Sequence, residues 1–372
     1  MLYLLHRLQD ETGWAALDAL RSITFRAALA GLLAFVVSLL VGKPIIAWLR
    51  SGRLAERSGK HPSEKINELH RGKHDTPTMG GLMLLLAVLL STTLFARLDN
   101  LFIQAALFVM LGLGVIGLLD DYLKQVRENH RGLSKMQKLG AQVLVSLPPV
   151  LALFAWAPSF MGSAEGANSY MSLQVPLVDA TLPLGVGFLL WSVLVIVSSS
   201  NAVNLTDGLD GLASGCALLA GLCFGLLAYL AGRVDSSAHL GLLFVPGAGE
   251  LAVFCAALVG ATLGFLWFNC FPAEVFMGDT GSLPLGGVIG LVAVCVRQEL
   301  LLLLVGGVFV VEAGSVILQV LSFRTSGRRI FACAPLHHHF QFRGWPESKV
   351  TIRFWILAAI LALFSVATLK LG

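Results

Sequence analysis

The sequence predicts an all-α polytopic membrane protein with about ten transmembrane helices. Its 372 residues are 56% hydrophobic and only 13% charged, whereas about 25% of residues are charged in a typical soluble domain. Ten apolar runs follow one another, and most are long enough to cross the roughly 30 Å hydrocarbon core of a bilayer as a helix. The basic residues are concentrated in a few of the polar segments between runs, as in membrane proteins of fixed orientation.

The apolar runs leave little room for an extramembrane domain, so residues 1–372 are expected to form one integral membrane domain. Residues 1–22 mix acidic residues with leucines and Trp14, which predicts a short helix lying at the membrane interface. Run 283–296 is shorter than the roughly 17 residues that a span needs, so its helix is expected to begin within the preceding loop. The runs are 23–48, 79–96, 101–119, 139–157, 184–200, 212–231, 251–268, 283–296, 300–321 and 354–370.

The distribution of basic residues predicts the orientation. Of the 26 Lys and Arg residues, 19 lie within 43–73, 124–138 and 324–353, and such residues accumulate in cytoplasmic loops. Two spans separate each polar loop of one set from the next, so the whole set is predicted to share the cytoplasmic face and both termini to be periplasmic. The loops of this set are 50–78, 120–138, 201–210, 269–281 and 322–353.

Composition also argues against several function classes. The net charge is only +4, which argues against a nucleic-acid partner. The six cysteines are scattered without C-x-x-C spacing, so neither a disulfide framework nor a zinc site is expected. No removable signal peptide is recognised, and the first span is expected to direct the chain to the membrane.

Asp120 and Asp121 end the uncharged run 101–119, which would span roughly 28 Å as a helix. The two carboxylates are therefore expected at a membrane surface. Neighbouring residues on a helix point about 100° apart, so the pair is expected to face different partners and not to hold one ion together. The alternative is a helix end that simply re-enters water with charged residues.

Two further predicted cytoplasmic loops carry carboxylates, amides and glycines. Loop 201–211 contains Asn204, Asp207 and Asp210, which suit either a metal-bridged phosphate and sugar hydroxyls or an ordinary turn with a helix cap. In loop 269–282, Asp279 is a natural N-cap, with Pro284 in the first helical turn. A helix N-terminus flanked by glycines also suits a phosphate, and Asp279 could hold its Mg²⁺.

The remaining polar motifs are basic or histidine-rich. His337, His338 and His339 are consecutive, so they cannot share one helical face; phosphate or peptide hydrogen bonding is favoured over zinc. Loop 50–78 ends in a cationic motif that either anchors the membrane orientation or meets an anionic substrate. Glu312 interrupts an apolar run, which marks it as a candidate functional residue, with a packing role as the alternative.

Acidic, amide, histidine and cationic motifs thus gather on one predicted face. This set suits phosphoryl transfer from a metal-bound nucleotide to a lipid phosphate, because that chemistry depends on positioning and charge neutralisation. Composition alone does not reach that specificity. A transporter would instead place its polar groups near mid-membrane, where only Glu312 stands out.

Five motifs closely resemble the phospho-N-acetylmuramoyl-pentapeptide transferases of bacterial cell-wall synthesis. This group is a branch of the polyprenyl-phosphate N-acetylhexosamine-1-phosphate transferase family. The motifs run in that family's order from the first span to the last. They are His-Arg-Gly-Lys-His-Asp-Thr-Pro-Thr-Met-Gly-Gly (70–81), Leu-Asp-Asp-Tyr-Leu-Lys (119–124), Asn-Ala-Val-Asn-Leu-Thr-Asp-Gly-Leu-Asp-Gly-Leu (201–212), Phe-Met-Gly-Asp-Thr-Gly-Ser (276–282) and Pro-Leu-His-His-His-Phe (335–340).

The resemblance implies transfer of phospho-MurNAc-pentapeptide from UDP-MurNAc-pentapeptide to undecaprenyl phosphate, giving lipid I and UMP with Mg²⁺. It also implies ten helices and a homodimer in the bacterial inner membrane. By position, Asp279 resembles the metal ligand, and Asp120 resembles the residue proposed to engage or deprotonate the lipid phosphate, with Asp121 beside it.

The other site positions implied by the resemblance fall in four groups. They are Lys73, Asn269 and Phe276 at the uridine; Asn204, Asp207 and Asp210 in the inner acidic motif; His337 and His338 as catalytic candidates with His339 near the sugar-peptide; and Lys124 and Lys138 near the phosphates.

Two departures from the family's pattern involve no charged site residue. Pro284 stands where relatives usually carry Ala, and 198–200 is Ser-Ser-Ser in place of a Gly-Thr-Gly type of sequence. The sequence leaves open whether the phosphorus is attacked directly by the lipid phosphate or first by Asp120 or Asp121 in a covalent step. Transfer of GlcNAc-1-phosphate is the related alternative reaction.

Overall fold

The described part of the chain is predominantly helical. The computed structural model describes residues 2–3, 15–51, 76–125, 132–176 and 180–370. Among the described residues, short 3-10 helices cover Ala15–Arg21, Ala248–Glu250 and Thr368–Lys370. The α-helices are α1 (Ile23–Ser51), α2 (Gly81–Phe95), α3 (Leu101–Gln125), α4 (Lys135–Met161), α5 (Ala164–Tyr170), α6 (Gly187–Thr206), α7 (Leu212–Ala231), α8 (Val234–His239), α9 (Leu251–Asn269), α10 (Asp279–Cys295), α11 (Glu299–Val305), α12 (Gly307–Ser326), α13 (Leu336–Phe342) and α14 (Glu347–Ala367).

Among the described residues, eight helices are long and apolar enough to cross a membrane: α1, α3, α4, α6, α7, α9, α12 and α14. The shorter apolar helices α2 and α10 match the predicted runs 79–96 and 283–296. Helix α10 begins at Asp279, which confirms that it starts within the preceding loop. The run 300–321 is divided between α11 and α12. The chain is therefore a multi-pass helical membrane protein, as predicted.

The segment between α4 and α6 has more structure than the sequence indicated. It contains α5 and a two-stranded antiparallel hairpin formed by β1 (Ser172–Val175) and β2 (Ala180–Pro183), in which Ser172 pairs with Pro183. The Arg297 side chain, which follows α10, donates to the Ser172 carbonyl at 2.9 Å. The hairpin is thereby attached to the end of α10 that is remote from Asp279.

Helix α10 is the centre of the fold, because every one of its residues is buried. It packs between α3 and α6, and glycines permit the close approach. A Cβ at Gly286 would lie 2.9 Å from the Ser200 Cα of α6, and one at Gly117 of α3 would lie 2.6 Å from the Thr280 nitrogen. Seventeen residues span only about 26 Å, but a helix enclosed by protein need not match the bilayer thickness.

The outer surfaces of the peripheral helices are apolar. Leu40 on α1, Leu144 on α4 and Ile317 on α12 are 70%, 71% and 66% exposed. Large apolar side chains at such exposure are unfavourable in water and favourable against lipid tails. The exposed leucines and isoleucines therefore mark the lipid-facing surface of the bundle.

A buried ion pair joins α1 to the start of α9. Arg26 donates from both terminal nitrogens to Glu250, at 2.7 and 2.6 Å, and also to the Phe95 carbonyl at 3.0 Å. Glu312 was the one ionisable residue predicted to matter inside an apolar run; Arg26, which is fully enclosed, was not predicted. A second buried pair, Arg297 with Glu299, follows α10.

Candidate active site

Two aspartates and two lysines from three helices meet at one end of the bundle. Asp120 lies near the end of α3, Asp279 begins α10, and Lys124 and Lys138 reach both carboxylates. The Lys124 Nζ is 2.8 Å from Asp120 Oδ2 and 2.9 Å from Asp279 Oδ2. The Lys138 Nζ is 2.7 Å from Asp279 Oδ2 and 3.4 Å from Asp120 Oδ2. The structure therefore brings these four predicted residues together.

The cluster is buried on its acidic side and open on its basic side. The Asp120 side chain is 3% exposed and that of Lys124 is 35% exposed. Two carboxylates held this close repel each other unless cations lie between them, and the two ammonium groups supply those cations. Because Lys124 is also partly solvent-exposed, an incoming anion such as a phosphate meets a positive group first.

Asp121 has a different set of partners from Asp120, as the helical geometry predicted. Its Oδ1 accepts from the Asp279 N–H at 3.2 Å, and its Oδ2 accepts from the Thr280 N–H at 2.9 Å and the Thr280 hydroxyl at 2.7 Å. The first N–H groups of a helix have no intrahelical acceptor. Asp121 supplies that acceptor to α10 from a neighbouring helix.

The local prediction for the start of α10 was wrong in two details. Gly278, with φ 70° and ψ 176°, occupies the N-cap position, and Asp279 is the first helical residue. Pro284 is consequently the sixth residue of α10 and lies beyond the first turn. The physical reason is that Asp121 provides the capping acceptor across the helix interface, which leaves the Asp279 side chain free to face the lysines.

The loop before α10 is fixed by the segment before α2. The Phe276 N–H donates to the Pro77 carbonyl at 2.8 Å, the Gly80 N–H to the Phe276 carbonyl at 2.9 Å, and the Gly81 N–H to the Met277 carbonyl at 2.9 Å. Phe276 is half-buried at this junction. The predicted uridine-site residue Lys73 lies outside the described residues.

The last turn of α6 reaches the cluster through Asn204. Its Nδ2 donates to Asp279 Oδ1 at 2.5 Å and to the Ser282 hydroxyl at 2.8 Å. Asp207, at the end of α6, is half-buried. Asn204 thus connects the inner acidic motif to Asp279.

Asp210 and Asn269 bind neighbouring loops. The buried Asp210 carboxylate accepts from the Ala273 N–H at 3.0 Å, and its backbone N–H donates to Glu347 at 2.8 Å. Asn269 donates to the Val275 carbonyl at 2.9 Å and accepts from the Gly211 N–H at 3.2 Å. Both side chains join the loop after α6 to the loop before α10.

The three histidines lie on α13 and contact three different partners, as their spacing predicted. His337 Nδ1 lies 3.1 Å from Glu312 Oε2, His338 Nδ1 lies 2.8 Å from Gln341 Oε1, and His339 Nδ1 accepts from the Ala332 N–H at 3.1 Å. His337 and His338 are buried. Partial burial and then the Arg343 guanidinium lower the pKa of His339.

The chain is similar in sequence to a protein-family model and to named bacterial proteins. Residues 103–297 match the model of glycosyl transferase family 4. Proteins named phospho-N-acetylmuramoyl-pentapeptide-transferase match over 95% or more of the chain. The one from Gluconacetobacter diazotrophicus is 48% identical over 100% of both chains, that from Methylacidiphilum infernorum 44% over 100% of both, and that from Desulfatibacillum aliphaticivorans 46% over 95% of both. The chain belongs to this transferase family.

The family resemblance implies magnesium, and the donor set at the cluster suits it. Asp120 Oδ2 and Asp279 Oδ2 converge on one cation, the Lys124 ammonium, at 2.8 and 2.9 Å. Mg²⁺ in transferase sites is commonly held by one or two carboxylates together with substrate phosphates and water. Within the described ranges, no three His, Cys, Asp or Glu residues group closely enough to hold a metal by themselves.

Sequence reasoning missed the polar contacts that fix α6 against α10. Ser200, noted only as a departure from the family's pattern, donates to the Leu283 carbonyl at 2.9 Å. The buried Gln142 donates to Ser200 at 3.3 Å and accepts from Asn201 at 2.8 Å. A lone Gln inside an apolar run was the available signal, because buried amides in membrane helices need partners.

Proposed function

We propose that this protein transfers phospho-MurNAc-pentapeptide from UDP-MurNAc-pentapeptide to undecaprenyl phosphate, forming lipid I and UMP in peptidoglycan synthesis. The observation that carries the proposal is the cluster of Asp120, Asp279, Lys124 and Lys138 at one end of a transmembrane bundle. Relatives of that name along the full chain support it. A site at the bundle end is reachable from water by the nucleotide and from the bilayer by the lipid.

The chain's own residues suggest a division of roles. Lys124 and Lys138 attract and neutralise the diphosphate, which lowers the cost of bringing a second phosphate close. Asn204 holds Asp279 in place from the other side, at 2.5 Å. When bound, Mg²⁺ held by Asp279 and Asp120 would supply additional neutralisation of the phosphate oxygens.

The reaction itself is proposed to be an in-line displacement. An oxygen of the lipid phosphate attacks the sugar-linked phosphorus, and UMP leaves with the electron pair of the broken P–O bond. A covalent step through Asp121 is disfavoured, because both of its oxygens accept hydrogen bonds from the start of α10. Asp120 is the remaining candidate for a covalent step or for contact with the lipid phosphate.

The deciding experiment is UMP release by the purified protein. We expect release to require undecaprenyl phosphate, UDP-MurNAc-pentapeptide and Mg²⁺ together. Asp120→Asn and Asp279→Asn should each abolish turnover while the protein still inserts and purifies normally. Lipid I formation near the wild-type rate by either variant would refute its assigned role.

Two alternative functions are tested by the same assay. A GlcNAc-1-phosphate transferase would release UMP from UDP-GlcNAc and not from UDP-MurNAc-pentapeptide. A transporter would move substrate without UMP release. The clustering of polar groups at one bundle end disfavours transport, since transporter sites lie near the bilayer midplane.

We further propose that the chain has ten spans in the bacterial inner membrane, with both termini periplasmic, and acts as a homodimer. The ten apolar helical segments and the basic loops support the topology. Magnesium use and the homodimer rest on the family resemblance. Labelling of single cysteines introduced at the exposed positions 235 and 328 should place these two positions on opposite faces.

A further inference from the structure

Glu312 is fully buried in α12, and both of its carboxylate oxygens face the first turn of α13. Oε1 accepts from the His337 backbone N–H at 3.1 Å, and Oε2 lies 3.1 Å from His337 Nδ1. A carboxylate oxygen at this distance accepts from the Nδ1–H of the ring, and in that tautomer of the neutral imidazole Nε2 is the acceptor. The lone pair is then on Nε2.

The Nε2 atom of His337 is buried and has no hydrogen-bond partner among the described residues. It faces Gly208, in the loop between Asp207 and Asp210. A Cβ at Gly208 would overlap Nε2 and would lie 3.0 Å from Cε1 of the same ring. An acceptor is therefore held against the loop that carries the inner acidic motif.

A buried acceptor without a partner is costly, and buried polar groups in folded proteins are nearly always paired. The loop that covers Nε2 begins at the end of α6, whose Asn204 binds Asp279 at 2.5 Å. The unpartnered atom thus lies against Gly208, within the acidic motif, and that short loop connects it to the reaction centre. A donor arriving at the acidic loop would satisfy it after a small shift of Gly208.

We propose that Glu312 is a positioning residue for the sugar-nucleotide. It fixes the tautomer and orientation of His337 so that Nε2 accepts a hydrogen bond from a hydroxyl or amide N–H of the sugar-peptide. This inference rests on the proposed function, because it assigns part of that same site. It explains why an ionisable residue is kept inside an apolar helix.

The test compares two variants that act on the contact from opposite sides. Glu312→Gln keeps the shape but removes the charge that sets the tautomer. Gly208→Ala pushes a methyl group against Nε2. Gly314→Ala, on the same helix as Glu312, is the matched control because its Cβ would meet no atom within 4 Å.

For each variant, kcat, the melting temperature and the separate KM values for UDP-MurNAc-pentapeptide and undecaprenyl phosphate are measured. We expect the sugar-nucleotide KM to rise about tenfold in Glu312→Gln and Gly208→Ala, as for loss of one hydrogen bond. The lipid-phosphate KM should change less than about twofold, and Gly314→Ala should match wild type. Glu312→Asp, which keeps the charge, should recover part of the loss.

Two results would overturn the proposal. One is wild-type kinetics in both variants. The other is an equal change of both KM values, or a loss of kcat that parallels a fall in the melting temperature. Either pattern would show that the contact between Glu312 and His337 has a structural role only. If Glu312→Gln does not fold, Gly208→Ala decides. Failure of the wild-type protein to release UMP would instead refute the proposed function.

Discussion

The helix-capping role of Asp121 leads to a quantitative prediction. In Asp121→Asn one oxygen remains as an acceptor, but an NH2 group replaces the other. That group points its own N–H donors at the N–H groups of the start of α10. The three donors concerned are the N–H groups of Asp279 and Thr280 and the Thr280 hydroxyl. At least one of them is left unsatisfied in a buried place.

The magnitude follows from the contacts that are lost. A hydrogen bond to a charged group contributes about 2 kcal/mol, and a buried carboxylate at a helix N-terminus contributes about 1 kcal/mol more. Asp121→Asn should therefore destabilise the start of α10 by about 3 kcal/mol. Because Asp279 is the first residue of that helix, its carboxylate should lose its fixed position between Lys124, Lys138 and Asn204.

The assay pairs thermal unfolding in detergent with the rate of UMP release. We expect Asp121→Asn to lower the melting temperature by several degrees and kcat at least tenfold. Thr280→Val removes only the hydroxyl and should cost about 1 kcal/mol. The double variant should show coupling of about 1 kcal/mol between the two side chains. Asp235→Asn, at an exposed aspartate in the first turn of α8, should change neither quantity.

Two outcomes would refute the capping role. One is wild-type stability and turnover in Asp121→Asn. The other is a larger effect of Thr280→Val than of Asp121→Asn, because the hydroxyl is only one of the three donors.

Three further predictions concern packing, charge and metal. Gly117→Ala should abolish activity, because the added Cβ would lie 2.6 Å from the Thr280 nitrogen. Gly140→Ala is the control and should be active, because its Cβ would meet nothing within 4 Å. Equal activities of the two variants would contradict the close packing of α3 against α10. Arg26→Leu should destabilise the protein by about 3 kcal/mol, because Glu250 then stays buried without its counter-ion, and Glu250→Leu added to it should restore much of the melting temperature. EDTA should stop UMP release, and added Mg²⁺ should restore it; release that persists in EDTA would contradict a metal requirement.

The sequence alone predicted the class of protein and the residues that meet at the site. Apolar runs and loop charges act locally, through the cost of burying charges in lipid, so a single sequence carries that information. The adjacent positions of Asp120 and Asp121 were enough to predict that they face different partners. The family motifs then identified Asn204, Lys124, Lys138 and Asp279 before any contact was known.

The tertiary structure decided which partner each charged group has. Lys124 and Asp279 are 155 positions apart, and Arg26 and Glu250 are 224 apart, so no local pattern could pair them. The capping of α10 by Asp121 and the contact of Glu312 with His337 arise only when helices distant in sequence pack together. Hydropathy determined which segments enter the membrane; the requirement that buried polar groups find partners determined how they are arranged there.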